Sequence, residues 1–552
     1  MSLFDQIKLL HESELYDDVK LVGNIVLTIC EHNPEFMSMP MRFQLMVYYG
    51  NSLYHTEEFK KAENVYRKAL QTKKVLNKTK STKCTDLPSE VDVKYKIHQC
   101  LYNLKQYKEA INMLEGISSK QRSARINTAL AKLYHRMGMD RSAVTGYKEV
   151  LKECPLALQA AIGLMSLGVK GSEVATLVLN AVPNMGHTDW LPSWIKGHAF
   201  AASKDYSSAI SSFKMLDSKA QLRDSTDVLC NLGEAHFLSG DYTNAGLVLR
   251  RAHSLDPLLL YKMDLLAYLL YKEKKTKELE SLSSTLMHTT EFAPEPWVAM
   301  GYYCLATKKG TRAVYFAQKG YMIDNKNIEA LLLKGIALFD MKKLQEATVH
   351  FREALRIAPY RYEAHKGLVH CYLATGHRTR EAISLAGQAV KSLGNNARSL
   401  TLYASVLAKE TLSIEKAKSY LEKAMKLDST YLEAVFTMVE IHQKQQQWDK
   451  GIELLRKTLR TESNCKLHTL LGEFLQQTNE VQEALDQFSI ALSIDPSNTA
   501  AREGLERVEK QSEMGMESSF DVDVEDMENT SDNDADLEGS DMEDAWSDTD
   551  LT

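Results

Sequence analysis

Proline and glycine are scarce in this chain, 11 and 26 among 552 residues, so it lacks the punctuation that many short strands demand and leaves room for long helices. It also lacks an uninterrupted apolar run. The most hydrophobic window, Leu255 to Tyr271, is broken by Asp256, Lys262 and Asp264, charges that a bilayer core penalises. The first twenty residues carry Asp5, Glu12, Glu14, Asp17 and Asp18 without a basic lead, which argues against a signal peptide. The eight cysteines, Cys30, Cys84, Cys100, Cys154, Cys230, Cys304, Cys371 and Cys465, have no paired spacing. Dispersed thiols of this kind suit a reduced, cytosolic or nuclear protein and not a disulfide framework. What is present is an ordinary globular balance, 44% hydrophobic and 25% charged, enough to bury a large core. A soluble protein is expected.

Basic residues are missing from one end. From Glu513 to Thr552 there are 16 Asp plus Glu and no Lys or Arg, so the remainder carries 67 − (73 − 16) = +10. Such a self-repelling polyanion, poor in large apolar side chains, cannot offset its ordering entropy by burial, and a disordered acidic tail over residues 511–552 is expected. The lysines of the body fall mostly on the polar faces of amphipathic helices, with no aromatic and basic recognition motif for nucleic acid.

An internal repeat organises the rest. A small residue, a bulky one four later and a small or apolar one three beyond that recur as Ala62-Tyr66-Ala69, Ala143-Tyr147-Val150, Ala209-Phe213-Leu216, Ala245-Leu249-Ala252, Ala347-Phe351-Ala354, Ala382-Ala386-Ala389, Ala417-Leu421-Ala424 and Ala484-Phe488-Ala491. These positions share one helical stripe. Weaker copies start at Val22, Ala110, Ala175, Leu279, Ala313 and Gly451, and from Ala110 onward the steps run from 32 to 36 residues. That period is the tetratricopeptide length. Other positions keep the same phase. Glycine stands twelve residues before the alanine at Gly50, Gly197, Gly233, Gly301, Gly335 and Gly472, where it lets two helices approach. Proline stands twelve after it at Pro34, Pro155, Pro257, Pro359 and Pro496, where it stops the second helix. A bulky residue stands three before it at Phe59, Tyr107, Tyr206, Tyr242, Leu344 and Trp448.

The expected fold is therefore all-α, a tetratricopeptide-repeat solenoid of about fourteen helical hairpins between Ser2 and roughly Lys510, wound as a right-handed superhelix. Two early insertions interrupt it, an extra loop over Asn33 to Pro40 and an exposed Lys-rich loop over Thr72 to Asp92. The hairpins around Ala175 and Leu279 fit the template poorly and are expected to bend or interrupt the array. A superhelix of this class presents a concave groove lined by first-helix positions. In the C-terminal half these are Tyr302, Leu332, Ile336, Phe339, Lys366, His370, Phe436, Glu440, Glu473 and Gln476, a mixed apolar and charged set without the repeated Lys and Asn of chaperone-binding grooves.

Catalytic constellations are not evident. Gly168-Val169-Lys170-Gly171 is too short for a phosphate loop. His365, His370 and His377 lack the spacing of a one-face metal pair. Ser211 and Lys214 flank Phe213, itself a packing residue of the repeat. No catalytic residue, metal or cofactor is predicted. In the tail, Ser531, Ser540 and Ser547 each precede an acid by three residues, the context of acidophilic kinases, and Phe520 and Trp546 offer anchors for a transient partner.

The run of repeats, the opening Met-Ser-Leu-Phe-Asp-Gln-Ile, the Lys-rich insertion and the ending Glu543-Asp-Ala-Trp-Ser-Asp-Thr-Asp-Leu-Thr552 resemble the subunit-seven family of the anaphase-promoting complex, or cyclosome, across essentially the full length. The resemblance implies a non-catalytic scaffold subunit of a cullin-RING E3 ubiquitin ligase that controls mitotic progression, in nucleus and cytoplasm. It implies residues 1–170 as a homodimerisation module, residues 171–510 as a partner-facing superhelix, and other tetratricopeptide subunits as partners. Coactivator tails ending in Ile-Arg enter as a further implied ligand, with Glu440 and Glu473 as acidic partners for the arginine. No small-molecule substrate, nucleic acid or membrane is expected. A free peptide-binding adaptor or co-chaperone is the competing reading, and it requires a monomer.

Overall fold

A computed structural model describes residues 2–78, 87–180, 188–219, 222–376 and 378–520. Among the described residues there are twenty-nine α-helices and no strands. In sequence order they form fourteen consecutive pairs and one closing helix, Thr499–Phe520. The pairs are numbered here as hairpins 1 to 14, each with a first and a second helix.

The in-phase residues explain the helix ends. Phe59, Tyr107, Tyr206, Tyr242, Leu344 and Trp448 each open a second helix, and the helices before Pro155, Pro257, Pro359 and Pro496 end two residues ahead of the proline. Between the two helices of most hairpins the backbone makes one left-handed step, usually placed two residues before the second helix. Glycine supplies it at Gly138 and Gly240 (φ 75° and 103°), but Lys105, Lys204, Lys274, Lys308, Gln446 and Asn479 adopt it too, with φ between 56° and 65°. Asp205 and Asp241 then cap the next helix, their carboxylates accepting from the amides of Ser208 and Asn244 at 3.2 and 3.1 Å.

The glycines of the first helices make room for a side chain, a ring at several of them, and not for a backbone. A Cβ placed on Gly50 would stand 2.5 Å from the Tyr66 ring, and one on Gly197 would stand 2.7 Å from that of Phe213. The stripe's bulky side chain thus fills the space that the glycine leaves open. Tyr66, Phe213, Phe351 and Phe488 are all fully buried in this way.

Several sequence expectations need correction. The first repeat's buried stripe is Val19-Gly23-Val26-Cys30, three residues ahead of Val22, which is only half-buried. Its second helix, Tyr16–His32, has 17 residues against the 14 of a regular unit, so Pro34 keeps its distance from the wrong residue. The loop after it covers Asn33 to Ser38 alone, because Pro40 sits within the first turn of the helix Met39–His55, where a missing amide costs nothing. The helix Phe59–Lys78 runs on through Thr72, Lys73 and Lys74, so the Lys-rich insertion begins as helix, and residues 79–86 lie outside the described set. In hairpin 5 both helices have nine residues, and Val174 and Val178 take the stripe while Ala175 is half-buried. Hairpin 8 keeps its stripe, with Leu279, Ser283 and Leu286 buried, but its first helix, Met263–Lys272, has only 10 residues.

The chain divides into two compact units, residues 1–341 and 342–552. Unit 1 holds nine hairpins and the helix Ile328–Asp340. It closes on itself: Lys105 Nζ donates to the Met322 carbonyl at 3.0 Å, Lys326 Nζ donates to that of Arg136 at 2.7 Å, and Arg136 lies 3.9 Å from the Asp324 carboxylate. Hairpins 3, 4 and 9 therefore touch across one turn of the array. Unit 2 begins with the helix Leu344–Ile357, continues through hairpins 11 to 14 and ends on Thr499–Phe520, which packs on both helices of hairpin 14. The tail beyond residue 520 and the three candidate phosphosites lie outside the described residues.

Candidate binding groove

In unit 2 the first helices of hairpins 11 to 14, Tyr362–Ala374, Ala397–Leu407, Leu432–Lys444 and Cys465–Gln477, line a cleft of about 540 Å³. Each helix offers one stripe of residues three or four and then seven or eight apart, because those side chains share a face. The stripes are Tyr362, Lys366 and His370, then Thr401 and Ser405, then Glu433, Phe436 and Glu440, then Lys466 and Leu470. Leu402 and Val439, both buried, form the apolar floor.

The charges of the cleft are tied together. Lys366 Nζ donates to Glu433 Oε1 at 2.8 Å, and the Tyr431 hydroxyl donates to the other carboxylate oxygen at 2.6 Å. Burial works against the Lys366 charge, but the facing Tyr362 and Glu433 oxygens outweigh it, and the ammonium pKa lies above the ordinary lysine value. Burial also raises the Tyr362 and Tyr431 phenols. For His370 burial and then the Lys366 charge lower the imidazole pKa against the opposing Glu433 carboxylate. Glu440 is held by Lys444 at 2.8 Å and Lys409 at 3.3 Å. Those two cations outweigh burial and keep its carboxyl below the usual range. The Lys466 ammonium rests 4.1 Å from the centre of the Phe436 ring, a cation–π contact.

One wall is braced from behind. Glu363 accepts from Arg361 at 3.1 Å and from Arg398 at 3.0 Å, and all three side chains are at most 10% exposed. The Arg398 guanidinium also lies 4.1 Å over the Tyr362 ring, so this triad fixes the aromatic end of the cleft.

Of the residues picked from sequence, Lys366, His370, Phe436 and Glu440 come together in this cleft. Tyr302 does not. It is fully buried in unit 1 between Tyr268 and Tyr271, with both ring centroids at 5.6 Å, because the short first helix of hairpin 8 packs directly on that of hairpin 9. Leu332 is likewise core, and Ile336 and Phe339 are half-buried in unit 1. Glu473 and Gln476 are half-buried on hairpin 14, outside the cleft lining. Burial raises the Glu473 carboxyl while the charge of Arg507 opposes the rise. Tyr362, Glu433 and Lys466 were missed. The i−7 and i−3 partners of Glu440 and Phe436 would have found Glu433, since all three share a stripe. His365 is not a ligand: its ring donates to the Pro359 carbonyl at 2.9 Å. Position 377 lies outside the described residues. Ser211 donates to a helix carbonyl, and Gly168 (φ 84°) is the turn of hairpin 5. Among the described residues no group of three His, Cys, Asp or Glu side chains is placed to hold a metal ion. None of their helices is long and apolar enough to cross a membrane.

A larger cleft, about 700 Å³, lies on hairpin 4 beside Arg122, Tyr134 and Glu149. Its polar lining is largely satisfied internally. Arg122 donates to two carbonyls, Lys152 pairs with Glu149, and Tyr134 donates to Glu115.

A family model described as tetratricopeptide repeat matches residues 338–406. The chain is 42% identical over 560 aligned residues to the human protein "Anaphase-promoting complex subunit 7", covering 99% of each. The chain belongs to the anaphase-promoting complex subunit 7 family. Its Arabidopsis thaliana member is 28% identical over 92% of this chain and 94% of its own. A more distant likeness, 24% identity over 55% of the chain and 45% of the relative, is to "Anaphase-promoting complex subunit 3" of Schizosaccharomyces pombe. Among solved structures, "Crystal structure of APC/C hetero-tetramer Cut9-Hcn1" aligns with a TM-score of 0.58 over 92% of this chain and 96% of that one, at 17% identity. That last match supports the solenoid fold. The subunit 7 family thus agrees with the all-α tetratricopeptide array read from the sequence.

Proposed function

We propose that the protein is a non-catalytic scaffold subunit of the anaphase-promoting complex, positioning other tetratricopeptide subunits within this E3 ubiquitin ligase and so acting in mitotic progression. The observation that carries the reading is 42% identity to the human subunit over 99% of both chains. Its contribution to ubiquitin transfer is placement of partners, not chemistry.

Self-association through residues 1–170 belongs to the same proposal. It is supported by Leu21, Ile25 and Ile29, which follow i, i+4, i+8 on the helix Tyr16–His32 and are 64%, 52% and 39% exposed. An apolar stripe of this kind on a soluble chain favours a protein partner. For coactivator tails the support is weaker at Glu440, whose carboxylate already holds two lysines, and Glu473 is the better acid for an incoming arginine. The reading places the protein in the nucleus and cytoplasm.

The test is affinity purification of the tagged full chain from dividing cells, with mass spectrometry and light scattering on the isolated protein. Co-purification of ligase subunits with a dimeric mass is expected. A monomer that brings down chaperones in their place would overturn the proposal in favour of a free adaptor.

A further inference from the structure

The cleft of unit 2 holds one cation, Lys466, that its own side chains do not neutralise. In the lining Lys366 and Lys466 face Glu433 and Glu440; Lys366 is paired with Glu433, and Glu440 is held by Lys409 and Lys444 from outside the lining, which leaves Lys466 uncompensated. Among the described residues Lys466 has an aromatic ring beneath it and no carboxylate in ion-pair reach. The cleft combines this cation with a half-buried ring, Phe436, and an apolar floor, so it suits a segment carrying one large aromatic among acids.

The chain itself has such a segment. Residues 521–552 contain one aromatic side chain, Trp546, and it stands within Glu543, Asp544, Asp548 and Asp550. We propose that the C-terminus of the protein occupies its own cleft, with the Trp546 indole against Phe436 and the flanking carboxylates on Lys466 and the Lys366 rim. Length allows it. The closing helix has 22 residues, about 33 Å at 1.5 Å each. From Phe520 to Trp546 is 546 − 520 = 26 residues, which span up to about 88 Å when extended. Because Thr499–Phe520 packs on the helix that carries Lys466 and Leu470, the tether returns to a neighbouring helix. A tether of this length supplies an effective concentration on the order of millimolar, so even a weak contact fills the cleft. The tail then acts as an internal competitor that a partner segment must displace. The inference rests on reading the cleft as a peptide-binding surface.

Zero-length carbodiimide coupling of the full-length protein, followed by peptide mass spectrometry, tests it. Amide links from Lys466 or Lys366 to Glu543, Asp544, Asp548 or Asp550 are expected within one copy, as shown by mixing isotopically light and heavy protein. They should fall at least fivefold in Trp546→Ser and when coupling is done in 0.5 M salt, neither of which alters the helical array. Links spread over lysines of both units according to exposure, links mainly between light and heavy copies, or insensitivity to Trp546→Ser would each overturn the proposal. The chain ending at residue 520 separates the two readings: if partner segments still label the cleft while no tail links form in the full chain, the groove stands and the self-occupancy falls.

Discussion

Phe488 receives Gly472 at a distance that leaves no room for a methyl group: a Cβ on that glycine would stand 2.9 Å from the ring, and one on Gly504 would stand 2.5 Å away. The ring is gripped by the first helix of its own hairpin and by the closing helix. Phe351 meets Gly367 in the same manner at 2.4 Å.

Gly367→Ala and Gly504→Ala should therefore each destabilise unit 2 by about 1–3 kcal/mol, the usual cost of overpacking a filled core. Gly387, whose added Cβ would meet only Tyr403 at 3.7 Å, serves as the contrast. Gly387→Ala in a helix interior should be neutral or stabilising by up to about 1 kcal/mol. Urea unfolding of the three variants checks the difference, and equal effects would show that contact with the ring is not the cause.

The turns predict the opposite sign. Lys204 and Lys274 hold φ of 65° and 57°, a conformation that costs a side chain roughly 1 kcal/mol or more and glycine little. Lys204→Gly and Lys274→Gly should raise stability by about 0.5–1 kcal/mol after the larger entropy of glycine in the unfolded chain is counted. Thermal melts with both substitutions combined would make the gain measurable.

Array and count were legible in the sequence because Ala62, Phe59, Gly50 and their counterparts constrain one another through fixed helix geometry, so each position votes for the same phase. Hairpin 1 misled because a helix three residues too long keeps its proline but moves its stripe. The groove was half legible. A first-helix position faces the groove only if the preceding hairpin leaves it open, and the ten-residue helix Met263–Lys272 instead covers Tyr302. Pairings such as Lys366 with Glu433, 67 residues apart, depend on the rotation between hairpins, which no local pattern encodes.

Glu363→Ala should cost about 3–5 kcal/mol, since it leaves the buried Arg361 and Arg398 charges without their shared carboxylate. Lys366→Ala, on a half-exposed pair, should cost under about 1 kcal/mol. Denaturant midpoints for the two variants, with Glu363→Gln as the shape control, test the ranking.

Acidification should weaken unit 1 through His98, which is 6% exposed and has its pKa pushed down to about 4 by burial, with the Tyr95 carbonyl in opposition. Its folded pKa lies below the unfolded value of about 6.5. Between those limits the unfolded chain binds the extra proton. The stability is complete above pH 6.5 and is lost as pH falls toward 4, about 2 kcal/mol by pH 5. Urea titrations from pH 7 to pH 5 should show a shallower pH dependence in His98→Gln than in the parent.

Leu21→Glu together with Ile25→Glu should abolish the proposed self-association at micromolar concentration without altering helical content, because both side chains lie on the exposed face and not on the Val19-Gly23-Val26 stripe. Light scattering and circular dichroism measure the two quantities side by side.

Repeat arrays ordinarily fold and fray from either end, as each unit leans only on its neighbours. The Lys105–Met322 and Lys326–Arg136 contacts change that for unit 1, because they join residues 217 and 190 positions apart. A spring whose successive coils are latched cannot be stretched or unwound one coil at a time. Hairpins 3 to 9 should open as a single cooperative block under load, giving the scaffold a stiff segment on which large partners can be held at fixed distance.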